Sequence, residues 1–237
     1  MNTALPADLQ GSDARHARTL SRFLYENGLS IVLLFCFLAL WWAQSLTGWK
    51  VYNQEQQDHA QPTIRYADYL TTGHFVEATA ENWESEFLQM AAFVWLTVFL
   101  RQKGSPESHG VEGEEEPQDR EPDPNKPDAP WPVRRGGVWL ALYANSLTLA
   151  FVLMFLISFV IHAMGGARAY SQERLAQGGS AVSTLGFMAT GEFWFQSMQN
   201  WQSEFLAIAA MVLLAVWLRQ KSSPESKPVD ARHDQNE

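Results

Sequence analysis

Two glutamates, Glu86 and Glu204, lie in the same local sequence, Asn-Trp-x-Ser-Glu-Phe-Leu, at 82–88 and again at 200–206. Each stands directly before a 14-residue charge-free stretch, Phe87 to Leu100 and Phe205 to Leu218. A carboxylate at the edge of an apolar segment is costly unless it is paired, protonated or hydrated, which makes both acids candidates for a proton or cation site. Asn82, Glu86 and Gln89 fall at i, i+4 and i+7 and so share one helix face. Gln44 and His162 occupy equivalent positions near the ends of two earlier apolar runs. A hydrogen bond from His162 to Glu86 or Glu204 would create a group that titrates near neutrality. The same residues carry a second, structural reading. Asn82 and Asn200 are good N-caps, acids in a first turn complement the helix dipole, and Trp83 and Trp201 suit the membrane interface.

Other chemistry is missing from the chain. It contains no phosphate-binding Gly-rich loop, no His-Glu-x-x-His and no Cys-x-x-Cys. His59 and His74 align with Gln177 and Glu192, so no duplicated metal site is expected, and neither a cofactor nor a catalytic residue is assigned. The net charge of −9 comes largely from one acidic segment around Glu107 to Asp128, which argues against a nucleic-acid partner. The single cysteine, Cys36, permits no intrachain disulfide.

The elements that must position these residues are hydrophobic helices. No Asp, Glu, Lys or Arg interrupts Asn27 to Trp49 or Gly136 to Ala167, and the runs Leu29–Ala43 and Leu147–Ile161 are apolar all round. Helices of that kind belong in lipid. Sliding the sequence by 118 residues aligns 25–108 with 143–226, with 31 identities in 84 positions. Among them is Arg-Gln-Lys-x-Ser-Pro-Glu-Ser, at 101–108 and 219–226. Each unit reads as helix, loop of about 35 residues, helix. The second helices need about 20 residues to cross a bilayer, which pulls their starts back to Asn82 and Asn200. Ala91-Ala92 and Ala209-Ala210 would let these helices approach closely.

The expected fold is therefore all-α: a polytopic membrane protein with four transmembrane helices, arranged as two tandem parallel helical-hairpin repeats. Its parts are an N-terminal tail (1–24), a first hairpin (25–103), an acidic Pro-rich linker expected to be disordered (104–136), a second hairpin (137–221) and a C-terminal tail (222–237). Thirteen of the 17 Lys and Arg residues lie in the tails and linker, which puts both termini in the cytoplasm. Short segments at 66–70 and 185–188 read as amphipathic turns in the interface. The lipid bilayer is the expected partner, and four short spans enclose so little interior that a homo-oligomer is a natural form. The reading of function is a non-enzymatic structural or envelope-associated membrane component; the alternative is a small proton or cation transporter that uses the duplicated carboxylates.

The combination of Phe23–Ser30, Gln44-x-x-Thr47-Gly48, Gly73-His74-Phe75, Glu81–Met90 and Arg101–Ser105 resembles a family of small bacterial membrane proteins catalogued only as a domain of unknown function. The resemblance covers nearly all of the chain outside the linker and tails. It implies a bacterial inner-membrane setting and brings no catalytic residues. The second copy replaces Glu84 by Gln202 and Gln89 by Ala207, which makes the first hairpin the better place for a site.

Overall fold

A computed structural model of the chain describes residues 21–110, 117–234 and 236. The N-terminal tail up to residue 20 and the linker acids Glu112, Glu114, Glu115 and Glu116 lie outside the described residues. All regular structure among the described residues is helical. Three helices are long and apolar enough to cross a membrane: α1 (Gly28–Asp58), α6 (Ser146–Ala176) and α8 (Gly191–Trp217). The helix α3 (Gly73–Phe99) matches α8 at 27 residues, but carries Glu77, Glu81, Glu84 and Glu86 in its first half.

The chain forms two compact units, up to Leu70 and from Thr71 onward. In the first, α1 runs 31 residues, well past its apolar run, and the chain then folds back through α2 (Tyr66–Tyr69). Asn53 fixes that return by bonding both the N–H (2.8 Å) and the C=O (3.0 Å) of Ile64, and the Trp49 indole donates to the same carbonyl (2.9 Å). Ser45 meets the Tyr66 hydroxyl at 2.7 Å. The Tyr69 ring lies against Gly48, where a Cβ would collide with it. Burial there, with the charge of Glu55 nearby, pushes the Tyr69 hydroxyl up to about 12.

The second unit holds α3, a 3₁₀ turn at Pro117–Asp119, α4 (Trp131–Arg135), α5 (Gly137–Ala144), α6, α7 (Thr184–Met188) and α8. α3 packs lengthwise on α6 and also crosses α8, while α7 folds back on α6. Glycine permits the α3–α6 approach. A Cβ at Gly73 would lie 2.6 Å from Ala169 N and Gly165 O, and one at Gly165 would lie 2.7 Å from Glu77 N. Gly166 leaves room for the Phe187 ring, as Gly48 does for Tyr69. Ser171 holds Val182 at N–H (3.0 Å) and C=O (3.3 Å), at positions equivalent to Asn53 and Ile64.

Several expectations change. α3 and α8 begin at Gly73 and Gly191, not near Asn82 and Asn200, because Thr72 and Thr190 cap them by accepting from Phe75 N and Phe193 N at 3.3 Å. The asparagines are mid-helix, and bond back to Ala78 O (2.7 Å) and Gln196 O (3.3 Å). The connections of about 35 residues shrink accordingly to 59–72 and 177–190. In the second compact unit α3 packs with α6 and α8. The physical reason is the seam of small residues on α6 together with the polar partners it offers to the α3 glutamates. The beginning of the linker and the C-terminal tail are folded together, and are described below.

Candidate functional site

Three glutamates on α3 define the site. Glu77, Glu81 and Glu84 stand at i, i+4 and i+7, so they share one face, and packing turns that face toward α6 and α8. Glu84 is fully buried, as is His162 of α6, and His162 Nδ1 lies 2.8 Å from Glu84 Oε2. The Trp201 indole of α8 donates to the other oxygen, Glu84 Oε1, at 2.9 Å. The second imidazole nitrogen, Nε2, faces Gln196 Oε1 at 3.2 Å and Glu81 Oε2 at 3.9 Å. Gln196 in turn donates through Nε2 to Glu77 Oε1 at 2.9 Å, which sets its amide orientation.

Gln196 presents its oxygen to Nε2, which suits a hydrogen on that nitrogen, and the tautomer decides which way each bond runs. Nδ1 faces a carboxylate oxygen, so a proton between Nδ1 and Oε2 would satisfy both atoms. Aromatic rings seal the pair: Phe193, fully buried, stacks on His162 with centroids 4.9 Å apart, Phe159 packs edge-on to Phe193 at 5.3 Å, and Phe155 meets Trp201 at 6.1 Å. Hydrogen bonds in such a dry setting are strong, and an unpaired member is expensive. Away from the seal, polarity increases. Glu81 is partly exposed, and Gln196 also approaches Glu192 at 3.5 Å in the exposed first turn of α8. A polar chain therefore leads from the buried pair to the α3 and α8 N-termini.

The residues singled out from sequence are distributed differently. His162 is in the site, with Glu84 as its partner in place of Glu86 or Glu204. Glu86 is exposed and Glu204 partly buried; their charges interact, and Gln89 Nε2 donates to the Glu204 carbonyl at 2.8 Å. Gln44 belongs to the first unit, is exposed, and has interactions of its own. Trp201 donates to Glu84, while Trp83 is partly buried. Asn82 and Asn200 cap nothing. Glu77, Glu81 and Gln196 escaped the sequence reading, although the i, i+4, i+7 spacing of the three glutamates would have shown their common face once the helix start was moved to Thr72-Gly73.

No group of three or more His, Cys, Asp or Glu side chains among the described residues is placed to hold a metal ion. One family model, described as "Domain of unknown function (DUF6766)", matches residues 20–237. No curated protein and no solved structure matches.

Proposed function

The chain belongs to this family of unknown function, and from that premise we propose that it is a non-enzymatic, multi-span component of a bacterial inner membrane that binds a proton at the Glu84–His162 pair. Its topology in this reading is four spans in two tandem parallel helix–loop–helix repeats, with both termini cytoplasmic. The three apolar helices support a membrane setting, and the repeat supports α3 as the fourth span. The observation that carries the proposal is the fully buried 2.8 Å contact between His162 and Glu84.

Binding is favoured over conduction by what lies beyond the pair. No Asp, Glu, His, Lys or Arg occurs between Glu86 and Arg101, between Arg135 and His162, or between Glu204 and Arg219. Fourteen such residues of helix span roughly 21 Å, so a proton that passes Glu86 or Glu204 meets no further acid, histidine or base along α3 or α8 until Arg101 or Arg219. Proton loading then acts on how α3, α6 and α8 hold together, which suits a structural or envelope-associated role. The transporter reading keeps one observation, the duplication of Glu86 and Glu204 directly before the charge-free stretches.

Proteoliposomes separate the two. Wild type should take up a proton, seen as a pH-dependent carboxyl infrared band that E84Q removes and whose pH dependence H162Q shifts, and should show no sustained proton or monovalent-cation flux. Uptake unchanged in a folded E84Q protein would overturn the assignment of the pair. Flux that E86Q/E204Q abolishes would replace the binding component with a transporter.

A further inference from the structure

At the opposite end of α3 and α8 the two Arg-Gln-Lys-x-Ser-Pro-Glu-Ser segments fold alike. In the first, Ser105 N–H donates to Gln102 C=O (3.1 Å), Glu107 N–H to Ser105 Oγ (3.2 Å) and Gln102 N–H to Ser108 Oγ (2.8 Å). The second repeats these bonds at 3.2, 3.2 and 2.9 Å with Ser223, Glu225, Gln220 and Ser226. The turn gathers main-chain carbonyls on its inside. In the first loop those of Gln102, Ser105, Ser108 and His109 lie 3.0 to 3.2 Å from a single atom, Nδ2 of Asn236, with Ser108 Oγ at 3.4 Å. Asn236 Oδ1 accepts from Gly104 N–H at 2.9 Å. Five oxygens around one nitrogen exceed what two N–H groups bond at once, so the loop selects for a donor and against a carboxylate.

A second observation shows that this loop is shaped for the tail. Gly104 has φ +82°, and a Cβ there would collide with the carbonyl of His233 and come within 3.2 Å of Val216 Cγ1. The equivalent residue in the second loop, Ser222, adopts φ +67° while carrying a side chain. Backbone conformation alone therefore does not demand glycine; the tail lying across position 104 does. One cation of the second repeat and one of the tail itself hold the tail in place. Arg219 donates to Pro228 O (3.2 Å) and Ala231 O (3.1 Å), and the buried Lys227 ammonium to Arg232 O (3.2 Å) and His233 O (3.3 Å).

We propose that the first Arg-Gln-Lys-x-Ser-Pro-Glu-Ser loop is a carboxamide-binding site whose ligand is Asn236 of the same chain, so that Asn236, with the tail at 228–234, forms a latch tying the end of α8 to the end of α3. The latch fixes the point at which the acidic linker leaves the bundle. It is independent of the proton-binding pair, which lies at the other end of the same helices.

Amide hydrogen exchange on the full chain in detergent tests the latch. N236D should speed exchange at Gly104 N–H by about tenfold or more, while Gln102 N–H, bonded within the loop, keeps its protection. G104A should do the same, and S222A should change nothing. Unchanged protection of Gly104 in N236D would overturn the proposal.

Discussion

At the scale of single residues the informative feature is an asymmetry between equivalent positions. Glu84 and His162 form a buried pair, whereas their counterparts in the other repeat are Gln202 and Gln44. A buried pair that loses one member leaves the other unsatisfied, and the loss typically costs about 1–3 kcal/mol for a neutral group and about 3–5 kcal/mol for a charged one. E84Q and H162Q alone should each lower the thermal midpoint in detergent. The double variant, which places neutral amides at both positions, should lose less than the sum, with a coupling of about 0.5–3 kcal/mol in a double-mutant cycle. Strict additivity would mean that the 2.8 Å contact is energetically idle. Replacing Trp201 with Phe keeps the ring that meets Phe155 but removes the donor to Glu84 Oε1, and should cost stability only while Glu84 is present. His162 and the Glu84-to-Gln202 departure were both legible in the sequence. Their pairing was not, because a partner 78 residues away is selected by helix packing.

For the helices, the decisive contact is the glycine seam between α3 and α6. A methyl group at Gly165 would press on Glu77 N at 2.7 Å, and one at Gly73 on Ala169 N at 2.6 Å. Overpacking of backbone against backbone has no flexible group to yield, so G165A and G73A should each destabilise by about 1–3 kcal/mol, and the displaced α3 should weaken the Glu84–His162 bond as well. G191A is the matched control, since position 191 has open space around it. Chemical denaturation of the three variants gives the comparison, and equal losses would rule out the seam as the determinant. The Thr-Gly-x-Phe segments at 72–75 and 190–193 were visible as a repeated element, and they cap α3 and α8. Hydropathy concealed this role, because the nine residues that follow each Thr-Gly start are too polar to announce a membrane helix.

Across the whole molecule, two measurements bear on topology and on the loops far from the proton site. If α3 crosses the membrane, single cysteines introduced at Gln61 and Lys126, in a chain with Cys36 replaced, should react with an impermeant thiol reagent from opposite faces of oriented vesicles. Labelling from one face would leave α3 outside the bilayer. The paired loops at the other end of α3 and α8 bring Glu107 against Glu225. Burial first, then the Glu225 charge and a hydrogen bond between the two, hold the Glu107 carboxyl above its usual 4.5. The folded state therefore binds that proton more tightly than the unfolded chain. The contact's contribution is full below about pH 4.5 and declines as pH rises through the elevated value. E107Q should flatten this dependence in a pH series of amide exchange at the two loops, and an unchanged slope would dismiss the pair as its source. By itself the sequence determined that the chain is helical and apolar enough for membrane spans, and it displayed the duplicated motifs, because hydropathy and self-similarity are properties of residues in order. Tertiary structure alone decided that Glu84 meets His162 and Trp201, that Glu77, Glu81 and Gln196 join them, and that Asn236 closes on the first loop. Those partners are 34 to 134 residues apart, and only tertiary packing, which for α3 and α6 rests on glycines on both sides, brings their atoms within bonding distance.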